Sequence, residues 1–213
     1  MAMATVKKGA TKTLPGGATG KFTGGLGWDA AKGADPNKKV DLDLWILRYW
    51  KSGKVEAIYW GNEDWYDPNP AHVNKEGRPW VITPELDVIH KGDSTTGEES
   101  DTGYDEEVDF DLAKRPVTAT DEVTHYEYFV TYFDDPANPT HETLGSATNI
   151  VCGLKDEKTG HELKAEIESK YTFEVTVLVA TILADGRMTN NEEAFGDKSM
   201  VDVAKERGVV FTD

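Results

Sequence analysis

Cysteine occurs once in these 213 residues, at Cys152. A lone cysteine excludes an internal disulfide framework and a zinc site built from several thiolates. Its neighbours, Asn149-Ile150-Val151-Cys152-Gly153-Leu154, read as a buried strand end, so the thiol is expected to serve as a small core group. Long apolar runs are missing as well, and the opening MAMATVKKGATKTLPGGATG lacks the apolar middle of a secretory signal. The expected location is therefore the cytoplasm, with a virion as the alternative. Basic side chains are scarce: 23 Lys and Arg stand against 39 Asp and Glu, a formal charge of −16. Such a surface repels nucleic-acid phosphates and anionic membranes, which leaves cations and other proteins as expected partners. No internal repeat recurs at a fixed period, so solenoids and propellers are not supported.

From Lys21 onward the chain alternates short β-rich runs with turn residues. KFTGGLG, VDLDLWILRYW and KVEAIYW come first, the last two separated by the Lys51-Ser52-Gly53 turn of an expected hairpin. WVITPELDVIH, EEVDFDL, EVTHYEYFVTYF, ETLGSATNIVCGL, HELKAEI and YTFEVTVLVATILA follow. Their β-branched and aromatic enrichment predicts an all-β fold, a two-sheet antiparallel β-sandwich. Only Lys198–Arg207 has helical spacing, with Met200, Val203 and Ala204 on one face and Gly208 as the stop; this short C-terminal helix is expected on a sheet edge. Residues 1–20 carry Lys7, Lys8 and Lys12 with no acid and no periodicity, and read as a flexible or partner-pinned arm. Residues 21–213 form the sandwich domain, with an insertion at about 61–79, too long for a simple hairpin connection.

The densest chemical signal runs from Lys91 to Lys114, KGDSTTGEESDTGYDEEVDFDLAK, where acids stand among Gly, Ser and Thr with no base between the two lysines. A hard cation such as calcium takes six to eight oxygen ligands, and such a loop can supply them. On this segment alone, a solvated acidic loop and a calcium site are equal readings. Two further segments favour the ion. Asp29 closes the Gly-rich GLGWDA turn, and Asp41 and Asp43 begin a strand with apolar continuation. Acids two residues apart share a strand face, so their carboxylates project together and call for countercharge.

Together GLGWD, DLDLWIL, the GD-x-x-TGE to YDEE loop and LGSATNIVCGLKDEKTGHELKAEI, in this order and spacing, resemble the TerD family of tellurite-resistance and stress proteins. The resemblance spans roughly Lys21 to Arg207. It implies a calcium-binding β-sandwich without enzymatic activity, acting as a scaffold or interaction module. It also implies a metal set of Asp29, Asp41, Asp43, Asp93, Thr96, Glu98, Asp105 and Glu106. Three departures stand out: Ser94 replaces the family's Asn, Tyr104 replaces an acid or small residue, and Glu99 to Asp101 look inserted.

Other motifs fail on their context. His141-Glu142 and His161-Glu162 lack the second His of a zincin helix, GLGWDA is followed by residues that cannot open a dinucleotide-binding helix, and GGATGKF is a residue short of a phosphate loop. An EF-hand is excluded because Glu98 stands where that loop requires Gly. The Asp-x-Asp pair could serve a hydrolase, yet no nucleophile or base accompanies it. Trp60, Trp65, Tyr66 and Trp80 either cover a sheet edge or form a partner-binding patch. With the Lys-bearing arm, such a patch supports a second reading, a structural component of a virion or other large assembly.

Overall fold

The computed structural model describes residues 3–14, 16–30, 40–95, 104–133, 143–157, 159–160, 162–166 and 175–211. The strands are β1 (Met3–Thr5), β2 (Thr11–Thr13), β3 (Lys21–Ala30), β4 (Leu42–Trp50), β5 (Val55–Ile58), β6 (Val81–Ile82), β7 (Val88–His90), β8 (Glu106–Asp111), β9 (Val123–Tyr132), β10 (Ala147–Asp156), β11 (Glu162–Glu166), β12 (Thr176–Leu183) and β13 (Arg187–Ala194). They form a seven-stranded sheet, β1-β11-β10-β3-β8-β7-β6, and a six-stranded sheet, β2-β13-β12-β9-β4-β5. Every pairing between these strands is antiparallel except β1 with β11. The expected all-β sandwich with a short C-terminal helix is what the chain forms.

The main core lies between the sheets, where Phe22, Leu26, Leu42, Leu44, Ile46, Val108, Phe110, Tyr126, Tyr128 and Val179 pack together. A second cluster forms outside the six-stranded sheet, where Trp45 and Leu47 of β4, Phe129 of β9 and Leu178 of β12 are apolar on the other strand face. An uncovered face of that kind would cost solvation energy, and α1 (Met200–Glu206) covers it with Met200, Val203 and Ala204. Ser199 caps the helix, accepting the Asp202 N–H, and Gly208 ends it at φ 98°. The helix therefore lies over a sheet face and not on the edge that its sequence spacing suggested, because β4 is apolar on both sides.

The N-terminal segment also differs from the reading by composition. β1 joins β11, β2 joins β13, and Val6 and Leu14 are buried in the main core. The Asn190 side chain donates to Val6 C=O and Gly9 N–H donates to Asn190 C=O, so the segment is held by its own chain. β13 was not visible as a strand because RMTNNEEA is polar, yet Met188, Asn190 and Glu192 alternate inward along it.

Candidate metal centre

β5 pairs with β4 only from Ile46 to Tyr49, so the backbone of Leu44 extends beyond its neighbour. Its polar groups find partners in the opposite sheet. Leu44 N–H donates to Glu106 Oε2 at 2.7 Å, and Leu44 C=O accepts from His90 Nε2 at 3.1 Å. His90 Nδ1 accepts the Gly92 N–H at 3.3 Å, which places the imidazole proton on Nε2. Burial drives the His90 pKa down to about 4, so the ring stands neutral beside Glu106 and offers no positive charge.

Gly92 has φ 97°, a left-handed turn just after the end of β7. Asp93 then enters beside Asp41 and Asp43, and one carboxylate oxygen from each of the three lies within 4.8 Å of the others. Asp43 and Asp93 are 2% and 5% exposed, and Glu106 is 1% exposed. Glu106 Oε1 accepts the Ser94 N–H at 3.2 Å. Asp43 Oδ1, Asp93 Oδ1 and Ser94 Oγ are buried and find no hydrogen-bond partner among the described residues.

Two carboxylates about 5 Å apart repel by on the order of 3 kcal/mol at an effective dielectric near 20. Burial, reinforced by the charges of Asp41 and Asp93, raises the Asp43 pKa well above the usual carboxylate range, against the side-chain hydrogen bond from Trp60. Glu106 is raised by burial and then by Asp43 and Asp93, opposed by the Leu44 and Ser94 amides. Asp93 is raised chiefly by burial. Such a cluster has two ways to be stable, protons or a cation. Its donor atoms are all oxygens, which suits a hard divalent ion such as calcium or magnesium and not zinc or copper.

The structure thus brings together Asp41, Asp43, Asp93 and Glu106. Asp29 is exposed, and its Oδ2 accepts the Asn149 side-chain amide at 2.8 Å. Asp105 Oδ2 accepts the Trp28 N–H at 2.9 Å, and Trp28 Nε1 donates to Val40 C=O at 2.9 Å. Gly-Trp-Asp, expected as a turn, is the end of β3, and these bonds tie it to Asp105 and to Val40, the residue before Asp41. Neither Asp29 nor Asp105 belongs to the three-carboxylate group. Thr96 and Glu98 lie outside the described residues. Ser94, a departure from the family pattern in its side chain, serves Glu106 through its backbone.

Trp65 and Tyr66 are half-buried against the main core, the Arg48 guanidinium lies 5.5 Å from the Trp65 ring, and Trp80 stacks on His72 at 4.6 Å. His90, Asn74 and Glu76 were missed by motif reading, while Trp60 was read as an aromatic cover or partner patch and not as a hydrogen-bond donor to Asp43. His90 is a single His ahead of Lys-Gly-Asp, and Asn74 and Glu76 sit in the connection from β5 to β6, which carries no motif.

Among solved structures, SCO6318 from Streptomyces coelicolor A3(2), a homologue of the telluride resistance protein TerD, superposes with a TM-score of 0.58 at 18% identity, over 87% of this chain and 95% of that one. The fold is TerD-like. SAV2460, a protein of unknown function, matches with a TM-score of 0.58 at 15% identity, over 88% of this chain and 95% of that one. No protein-family model matches the sequence, and no curated protein does. Within this TerD-like sandwich, the acid cluster stands where the first residues of β4 meet the turn after β7. Among the described residues, no helix is long and apolar enough to cross a membrane.

Proposed function

We propose that this TerD-like domain binds calcium through Asp41, Asp43 and Asp93, with Glu106 joining the cluster while holding Leu44 and Ser94. The observation that carries this reading is the buried Asp43 and Asp93 oxygens, Oδ1 of each, that find no hydrogen-bond donor among the described residues, beside a third carboxylate. Thr96 and Glu98, which the resemblance adds to the set, lie outside the described residues. Asp29 and Asp105 support the site by fixing the adjoining strands.

The role that follows is non-enzymatic. Calcium fixes the acidic loop and so presents a defined surface to protein partners, as a scaffold or interaction module in a stress response of the tellurite-resistance kind. Both ring nitrogens of His90 are engaged by backbone groups, which supports binding over acid–base chemistry at this cluster. The assembly-component reading loses its main support, since the N-terminal segment is held within its own fold.

Titration calorimetry of chelator-treated protein tests the proposal. Calcium is expected to bind the native chain, and Asp43→Asn is expected to weaken binding at least about tenfold, the equivalent of roughly 1.4 kcal/mol. Native protein that takes up no calcium at millimolar concentration contradicts it.

A further inference from the structure

We propose that residues 61–79 are a cation-responsive element of this same centre, coupled to it by Asn74 and Glu76 as positioning residues. The inference rests on the calcium reading and adds a regulated segment to it. Asn74 Nδ2 donates to Asp93 C=O at 2.5 Å, gripping the backbone of a cluster residue from outside the acidic loop. Glu76 Oε1 accepts the Thr95 N–H at 3.1 Å and lies 3.4 Å from Thr95 Oγ1. Two consecutive anchor points thus hold the chain that carries Asp93, on either side of Ser94.

The anchors belong to one hydrogen-bonded turn. Asn74 N–H donates to Arg78 C=O at 2.9 Å, while Asn74 Oδ1 accepts the Glu76 and Arg78 amides at 3.0 and 2.9 Å. Val73 bridges Pro79, Trp80 N–H donates to His72 C=O at 3.1 Å, and the His72 ring stacks on Trp80. Asp67 N–H donates to Trp80 C=O at 2.9 Å. The approach is close: a Cβ on Gly92 would lie 3.2 Å from Asn74 Cβ and 3.2 Å from Arg78 C=O. Any change in order at Asp93 is therefore felt at Asn74, and along the turn at His72 and Trp80. Coupling between two sites is reciprocal, so a turn that preorganises Asp93 for the ion must itself be tightened by the ion.

Two measurements on the full chain test this: calorimetric calcium affinity, and amide hydrogen exchange of residues 72–80 with calcium or chelator. In the native protein calcium is expected to slow exchange at Asn74 and Trp80. Asn74→Ala is expected to weaken calcium binding about fivefold, the loss of one hydrogen bond's net worth, and to abolish that slowing. Glu76→Ala, an exposed substitution that leaves the core intact, is expected to act in the same direction, about twofold to fivefold. A purely structural Asn74 would lower the melting temperature in chelator and leave calcium affinity alone; that result, or exchange at 72–80 indifferent to calcium in a native protein that binds it, overturns the inference while the calcium reading stands. A native protein that binds no calcium overturns the calcium reading, and this inference with it.

Discussion

The Glu106 carboxylate leaves the seven-stranded sheet to accept the Leu44 N–H of the six-stranded sheet at 2.7 Å. One acidic side chain therefore both stitches the two layers and adds a further carboxyl group to the Asp43 and Asp93 cluster. Its two duties can be separated by substitution.

Replacing Glu106 with Ala strands two buried amides, those of Leu44 and Ser94, and should cost about 1–3 kcal/mol even in chelator. Glu106→Gln keeps one acceptor oxygen and should lose less. Urea unfolding with chelator present checks this; equal stability of all three proteins would show that the interlayer bond is not a stabilising contact.

Tyr104 lies flat on the outer face of the seven-stranded sheet, over two paired glycines. A Cβ on Gly25 would come within 2.2 Å of Tyr104 Cγ, and one on Gly153 within 1.8 Å of the hydroxyl, which donates to Glu162. Gly153→Ala should destabilise by about 1–3 kcal/mol through overpacking. Adding Tyr104→Ala should recover part of that loss, a non-additivity that a double-mutant cycle measures. Strict additivity would place the ring elsewhere.

Leu14 is 1% exposed within the main core. Leu14→Ala should lower stability by about 2–5 kcal/mol, and removal of residues 1–14 should lower it further, since both sheets lose an edge strand. A truncated chain that melts with the native protein would restore the detachable arm expected from composition.

Burial raises the pKa of Glu127, with Glu193 adding to it, against the Tyr49 hydroxyl at 2.5 Å and Arg207 at 3.3 Å. A carboxyl whose folded pKa is raised contributes stability below its unfolded pKa and loses it as pH rises through the folded value. Glu127→Gln does not titrate there. Its stability relative to the native protein should therefore improve as pH climbs from about 4.5 toward about 7.5, as read by urea unfolding at each pH. A difference that stays flat, or moves the other way, would contradict the buried carboxyl.

Strand after strand was legible because β-branched and aromatic runs were bounded by turn residues, and Asp41 with Asp43 could be paired because spacing of two puts side chains on one strand face. WVITPELDVIH, read as one run, splits into β6 and β7 around a turn in which Leu86 takes φ 61°. β1 and β2 were illegible because three-residue edge strands in a Lys- and Thr-rich segment carry no alternation, and the buried Val6 and Leu14 stand just outside them. At the site, Asp29 and Asp105 follow the family motifs, yet they bind Asn149 and the Trp28 amide, because motif order says which segments converge and not where each oxygen points. Asn74 and His90 act through hydrogen bonds between distant segments, a relation that spacing along the chain does not encode.

The central claim is tested most directly by thermal melting of chelator-treated protein against added calcium. A ligand that binds only the folded state at about 100 times its Kd stabilises by about 2.7 kcal/mol, which for a chain of this size raises the Tm by roughly 5–10 °C. That rise, absent from Asp43→Asn, is the predicted result; a Tm unmoved by millimolar calcium would contradict the account.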